Sequence, residues 1–273
     1  MAEKNNVYKY DKKNIQGGAG RLLWNSNTSN RPKKISDVMD LESFEAKEGW
    51  NDLGATNEGI AQSRGFDTED VEIDQSKTPI DTSVSSWTNA ISTTLMETSI
   101  ENRQLVNVGG AISETPAVLG TASKTTAAIP NGTKLIKVAD GTEFAKSRFI
   151  KIGDETIAVG SADGDVIRLK KAIDKEGGYP ADTDVLPVKE LGTKTISYGA
   201  PESVPAVQLA LISQREDGTL LMIVYYEVKL NGDEVESTFN KEKRTLPVGF
   251  VAFAQDDLPE DENVYIEVEQ TLL

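Results

Sequence analysis

Adjacent carboxylates are the chemistry this chain has most of. Glu69-Asp70 and Asp256-Asp257 are pairs of the kind that can divide general-acid and general-base work between two groups. A carboxylate doing that work needs burial or a charged partner to move its pKa, and both pairs sit in strongly hydrophilic surroundings, which predicts solvated acidic faces. The other routes to catalysis fail on residue type. The 273 residues include no histidine and no cysteine, so a serine nucleophile lacks its usual base, and there is no thiolate, disulfide, or cysteine or histidine ligand for zinc or haem. Neither Ser-x-x-Lys nor Gly-x-Ser-x-Gly occurs. Gly17-Gly18-Ala19-Gly20-Arg21 is a fragment of a phosphate loop without the rest of the pattern and reads as a hinge. Asp163-Gly164-Asp165 lacks the glutamate that closes a calcium loop and reads as a turn. No enzymatic activity, cofactor or metal is expected.

What remains conspicuous is a stretch with no chemical reading. Residues 49–76, GWNDLGATNEGIAQSRGFDTEDVEIDQS, begin with a tryptophan among turn formers and end with Asp67, Glu69, Asp70, Glu72 and Asp74 around two apolar side chains. The net charge of −15 argues against a surface that grips nucleic acid, because tight backbone binding relies on clustered bases that release counterions from phosphate. The charge is uneven: residues 1–34 are about +6, which leaves about −21 on the rest. No apolar run approaches the roughly 18 residues that span a bilayer, so no membrane is expected. The polar start is unlike a signal peptide, so synthesis in a cytoplasm is expected.

The elements that must position these residues read as mainly β. Residues 1–19 form a polar arm, residues 21–24 a short strand, and from there to Asp67 short apolar pieces around Val38, Leu41, Phe44, Trp50, Leu53 and Ile60 suggest a long excursion over a surface. In residues 84–99, Trp87, Ile91 and Leu95 recur every four residues as on a helix, but eight Ser or Thr residues favour an extended chain. Thr98 to Glu101 has capping-box spacing, which predicts a short helix ending near Gly109. Residues 113–190 read as a separate β module with hairpin turns at Gly153-Asp154 and Asp163-Gly164. In the C-terminal third, turns at Asp217-Gly218 and Asn231-Gly232 join strands of an antiparallel sheet, the last of them DEVESTF at residues 233–239. Its central strand lines one face with Leu220, Met222, Val224, Tyr226, Val228 and Leu230, while Leu221, Ile223 and Tyr225 make the other face apolar too. Such a strand must be covered twice, here expected to be by its own fold and by something else.

The order WNDLGATNEGI, then an acidic DVEIDQ strand, then PIDTSVSSWTNAISTTLMETSIENRQLVN resembles the major tail-tube protein of long-tailed bacteriophages, over residues 35–110 and again 191–273. The resemblance implies an antiparallel β-sandwich or barrel with one short flanking helix. It further implies hexameric rings stacked into a virion tail tube through which double-stranded DNA passes, with tape-measure, tail-terminator and baseplate proteins as partners and assembly in the host cytoplasm. On this reading the chain divides into an arm (1–19), a tube domain (20–112 and 191–273) and an inserted small β domain (113–190) of the kind some tail-tube proteins carry outside the tube. Trp50, Leu53, Ile60, Leu221, Ile223 and Tyr225 are expected at inter-ring or inter-subunit contacts, and Glu69, Asp70, Glu72, Asp74 and Glu227 on an acidic lumen that lets DNA slide. The basic arm either packs on the acidic surface of an adjacent ring or is a solvated tail. Two alternatives stay open: a tail-completion or baseplate ring protein of the same fold, and a non-phage adhesin or S-layer-like module.

Overall fold

The computed structural model describes residues 17–233, 235, 236 and 241–271. Most of the expected arm and much of the expected strand over 233–239 lie outside the described residues. In chain order the elements are β1 (Gly20–Asn25), β2 (Asn51–Asp52), β3 (Thr56–Val71), β4 (Asp81–Leu95), α1 (Ile100–Val106), β5 (Ser113–Thr115), β6 (Val118–Leu119), β7 (Ser123–Lys124), β8 (Leu135–Lys137), β9 (Phe149–Ile152), β10 (Glu155–Asp163), β11 (Val166–Leu169), β12 (Asp184–Glu190), β13 (Thr193–Thr195), β14 (Val207–Gln214), β15 (Leu220–Leu230), β16 (Leu246–Ala252) and β17 (Tyr265–Glu269). The protein is mainly β, every described strand pair is antiparallel, and α1 is the one α-helix among the described residues. Two compact units divide the chain: the first runs to Ala111 and resumes at Ser197, and the second is Ile112–Ile196.

The first unit is built on one sheet of order β2-β1-β14-β15-β16-β4-β3. β15 is long enough to take two partners on one flank, β17 along Leu221–Tyr225 and β16 along Val228–Leu230. The sheet curls until β3 meets β1. Ile60 lies close over Gly20: a Cβ there would come within 2.8 Å of the Ile60 Cδ1 and of the Leu211 Cδ1, so a larger residue requires those side-chain ends to shift. Inside the curl Leu22, Leu53, Ile91, Leu95, Tyr225 and Phe250 form a core that Val106 of α1 closes.

The outer face of β15 has its own cover. Leu23, Ala210, Ile212, Met222, Val224 and Tyr226 pack against Ile35, Val38, Met39 and Trp50. The segment between β1 and β2 is therefore a folded flap and not an excursion. It holds its shape through a 3-10 turn at Ile35–Asp37, a bridge between Met39 and Ala46, and the Asp40 carboxylate, which accepts from the backbone N–H groups of Glu42 and Ser43. The expectation that something beyond the chain must cover one face of this strand is corrected: the flap covers the Met222, Val224 and Tyr226 face, and the curled sheet encloses Ile223 and Tyr225 on the other.

Three local expectations also change. Residues 56–71 are one sixteen-residue strand where short turn-rich pieces were expected as far as Asp67, and the acidic strand expected over 70–75 ends at Val71, where the chain begins to turn. The helix cap is Ser99, one residue after Thr98: its Oγ accepts from the Asn102 N–H at 3.0 Å. Asn231-Gly232 does not begin a tight hairpin, because β16, fourteen residues further on, takes the flank of β15 that the expected strand would have used, and the Asn231 N–H donates to Gly249.

The second unit has a sheet of order β6-β12-β9-β10-β11-β8, with β7 also on β12, around Ile136, Phe144, Ile150, Ile152, Ile167 and Val185. β5 and β13 form a separate two-stranded ribbon. Residues 112–196 hold twelve bases and twelve acids, so the whole net charge of −15 rests on the residues of the first unit.

Candidate assembly surface

β3 and β4 pair along their length, from Thr56 opposite Leu95 to Val71 opposite Asp81. Only the base of this hairpin touches the body. From Asn89 onward β4 is buried or half-buried except at Ser92, whereas Asp81–Thr88 is exposed at every position, as is β3 beyond Ile60. At about 3.3 Å per residue the free part of β4 reaches roughly 25 Å, with the Glu72–Ile80 turn beyond it.

The base is firmly held. Glu58 and Gly59 form a bulge with positive φ (66° and 81°), and the Thr93 hydroxyl donates to the Gly59 carbonyl at 2.7 Å. Buried Asn102 donates through Nδ2 to the Leu53 and Glu97 carbonyls at 2.9 and 2.8 Å, tying α1 to both strand ends. The Glu97 carboxylate accepts from the Ala55 N–H at 2.9 Å.

Strand alternation gives the free hairpin two unlike faces. On one, Phe66 lies opposite Trp87 with ring centroids 5.0 Å apart and both side chains more than half exposed. The Arg64 guanidinium sits 4.6 Å over the Trp87 ring and 5.3 Å from that of Tyr265, donating to the Tyr265 hydroxyl at 3.1 Å. A bulge between Asp67 and Thr68 keeps Val84, itself 50% exposed, on the same side as Trp87. The other face is acidic and small: the Ser86 hydroxyl donates to the Asp67 carboxylate at 2.9 Å, with Glu69, Ser83 and Thr88 alongside. At the turn, Val71, Ile73 and Ile80 are 41%, 41% and 55% exposed.

The structure sorts the expected site residues differently. Trp50, Leu53, Ile223 and Tyr225 are at most 5% exposed, and Ile60 and Leu221 are half-buried in the same unit. The expectation that these six meet sister chains is corrected, since their own chain covers them. Glu69, Asp70, Glu72 and Asp74 are brought together, exposed, on the hairpin and its turn. Glu227 is not with them: it is half-buried on β15, accepts from Gln255 Nε2 at 2.6 Å and lies 3.5 Å from Lys229. The residues missed were Phe66, Arg64 and Val84, with Trp87 seen only as an ambiguous helical repeat. The bulge explains this, because strict alternation puts Val84 and Trp87, three residues apart, on opposite faces, and only the bulge brings them to the same one.

Among the described residues no three acids are grouped to hold a metal, and no helix is long and apolar enough to cross a membrane. The chain matches no model of a known protein family, and no curated protein matches it.

Proposed function

We propose that this protein is a structural subunit that assembles with copies of itself, as stacked hexameric rings forming the tail tube of a long-tailed bacteriophage. The observation that supports this is the free hairpin. A two-stranded ribbon alone in water is marginal at best, and one whose outer face displays Phe66, Trp87 and Val84 gains from a partner that covers it. Trp, Tyr and Arg are the residue types that dominate interface energies, and here Trp87, Tyr265 and Arg64 are stacked together. With that face covered, the opposite face leaves Asp67 and Glu69 toward an aqueous space. A wall of carboxylates repels phosphates, which suits a bore through which DNA slides without sticking. The resemblance over residues 35–110 and 191–273 supplies the hexameric rings, the tape-measure, terminator and baseplate partners, and the virion location.

Negative-stain imaging of the purified chain at rising concentration tests the reading. Long tubes from the wild type and none from Trp87→Ser are the expected result. Wild-type protein that stays monomeric at every concentration overturns it, and rings that never stack support a tail-completion or baseplate ring instead.

A further inference from the structure

The second unit carries a groove of about 830 Å³, formed where the Thr142–Phe149 segment meets the end of β12. Its lining is both cationic and apolar: Lys146, Arg148 and Lys189 surround Phe149, Pro187 and Leu191, the last 52% exposed. One acid, Glu143, also lines it, but its carboxylate is engaged by the backbone N–H and hydroxyl of Thr121, at 2.9 and 3.1 Å, and by Lys189 at 3.7 Å. Lys146 and Arg148 are exposed and form no ion pair among the described residues. Two positive charges are thus unmatched beside an apolar floor, in a unit whose total charge is zero.

The chain also carries the complementary shape of charge. Between Asp67 and Asp81 six acids stand against Lys77 alone, interleaved with the exposed aliphatic side chains of Val71, Ile73 and Ile80. We propose that the acidic, aliphatic hairpin turn of one copy docks in this cationic and apolar groove of a second copy, so that the inserted unit clasps a neighbour's hairpin. This rests on the self-assembly reading above and names the partner of the turn. The acids meet Lys146 and Arg148 while Ile73 and Ile80 bury against Phe149 and Leu191. Opposite charges around an apolar centre set which copy meets which and in what register.

The absence of cysteine makes the test clean. Full-length Ile73→Cys and Leu191→Cys chains are mixed, allowed to assemble and oxidised, with Leu135→Cys, exposed elsewhere on the second unit, as the control partner. Disulfide formation between chains about tenfold above the control is expected. Adding Lys146→Glu and Arg148→Glu to the Leu191→Cys chain is expected to reduce the yield about tenfold, and adding Glu72→Lys and Asp74→Lys to the other chain to restore it. Yields equal to the control, or charge reversal without effect, overturns the docking. Sedimentation velocity on the same mixtures separates the two readings. Assemblies without the cross-link sink this proposal alone, whereas a chain that never assembles sinks both.

Discussion

Trp50 and Trp87 share a residue type and stand in opposite surroundings. Trp50 is 5% exposed between the flap and the outer face of β15, so Trp50→Ala is expected to cost about 3–5 kcal/mol of folding stability, read by denaturant unfolding. Trp87 is 53% exposed, so Trp87→Ser is expected to change stability by no more than about 0.5 kcal/mol while abolishing assembly. Asn102 is a third case. Its buried amide satisfies two carbonyls, and Asn102→Ala leaves both short of a donor, an expected loss of about 2–3 kcal/mol by thermal or denaturant unfolding. Surface carboxylates set the response to acid. Hydrogen bonds from Thr121 hold Glu143 below its ordinary value of 4.5, the Arg215 guanidinium does the same for Glu269, and Thr219 holds Asp217 below 3.8. Each binds its proton more weakly folded than unfolded, so its contribution is fully present above those ordinary values and fades as pH falls below them. Melting temperature measured from neutral pH downward is expected to decline below about pH 4.5, and Glu269→Gln to decline less steeply.

At the scale of the element, the hairpin is two structures in one. Its base, pinned by the Glu58-Gly59 bulge, the Asn102 amide and the Ile60 contact over Gly20, belongs to the core, whereas Asp81–Thr88 and the β3 residues opposite them place no buried side chain in it. Replacing residues 67–86 by Asn-Gly, which suits a two-residue hairpin, is expected to leave unfolding nearly unchanged and to eliminate tubes, as seen by circular dichroism and electron microscopy. A large loss of stability in that variant would mean the ribbon packs on its own body. β15 shows the reverse arrangement: apolar on both faces, it is sandwiched between the curled core and the flap of its own unit, so both faces are satisfied without a neighbour.

For the whole molecule, two cores and two charge regimes coexist in one chain. The second unit has its own buried cluster, its own sheet and no net charge, so residues 112–196 expressed alone are expected to fold and to unfold cooperatively in a melt followed by near-ultraviolet signal. The first unit carries the −15. Like-charged subunits repel, so an assembly of such chains needs local apolar contact to offset the repulsion. On the proposed self-assembly, that contact comes from Phe66, Trp87 and Val84 on the hairpin, with the acids kept on its reverse side.

Much of this was legible from residue order alone. Period-two alternation marked β15 and its neighbours, Ser and Thr content marked β4 as extended in spite of its four-residue repeat, and the lack of histidine and cysteine removed whole classes of chemistry. Local composition is enough for these because they depend on residues a few positions apart. Which segment covers which face is a relation between residues far apart in the chain. Alternation reported that Leu221, Ile223 and Tyr225 needed cover and was silent on who supplied it. Only the tertiary structure showed that Trp50 and the flap shield β15 on one side and the curled sheet on the other. It alone showed that the acids near Asp70 ride on a ribbon standing clear of both.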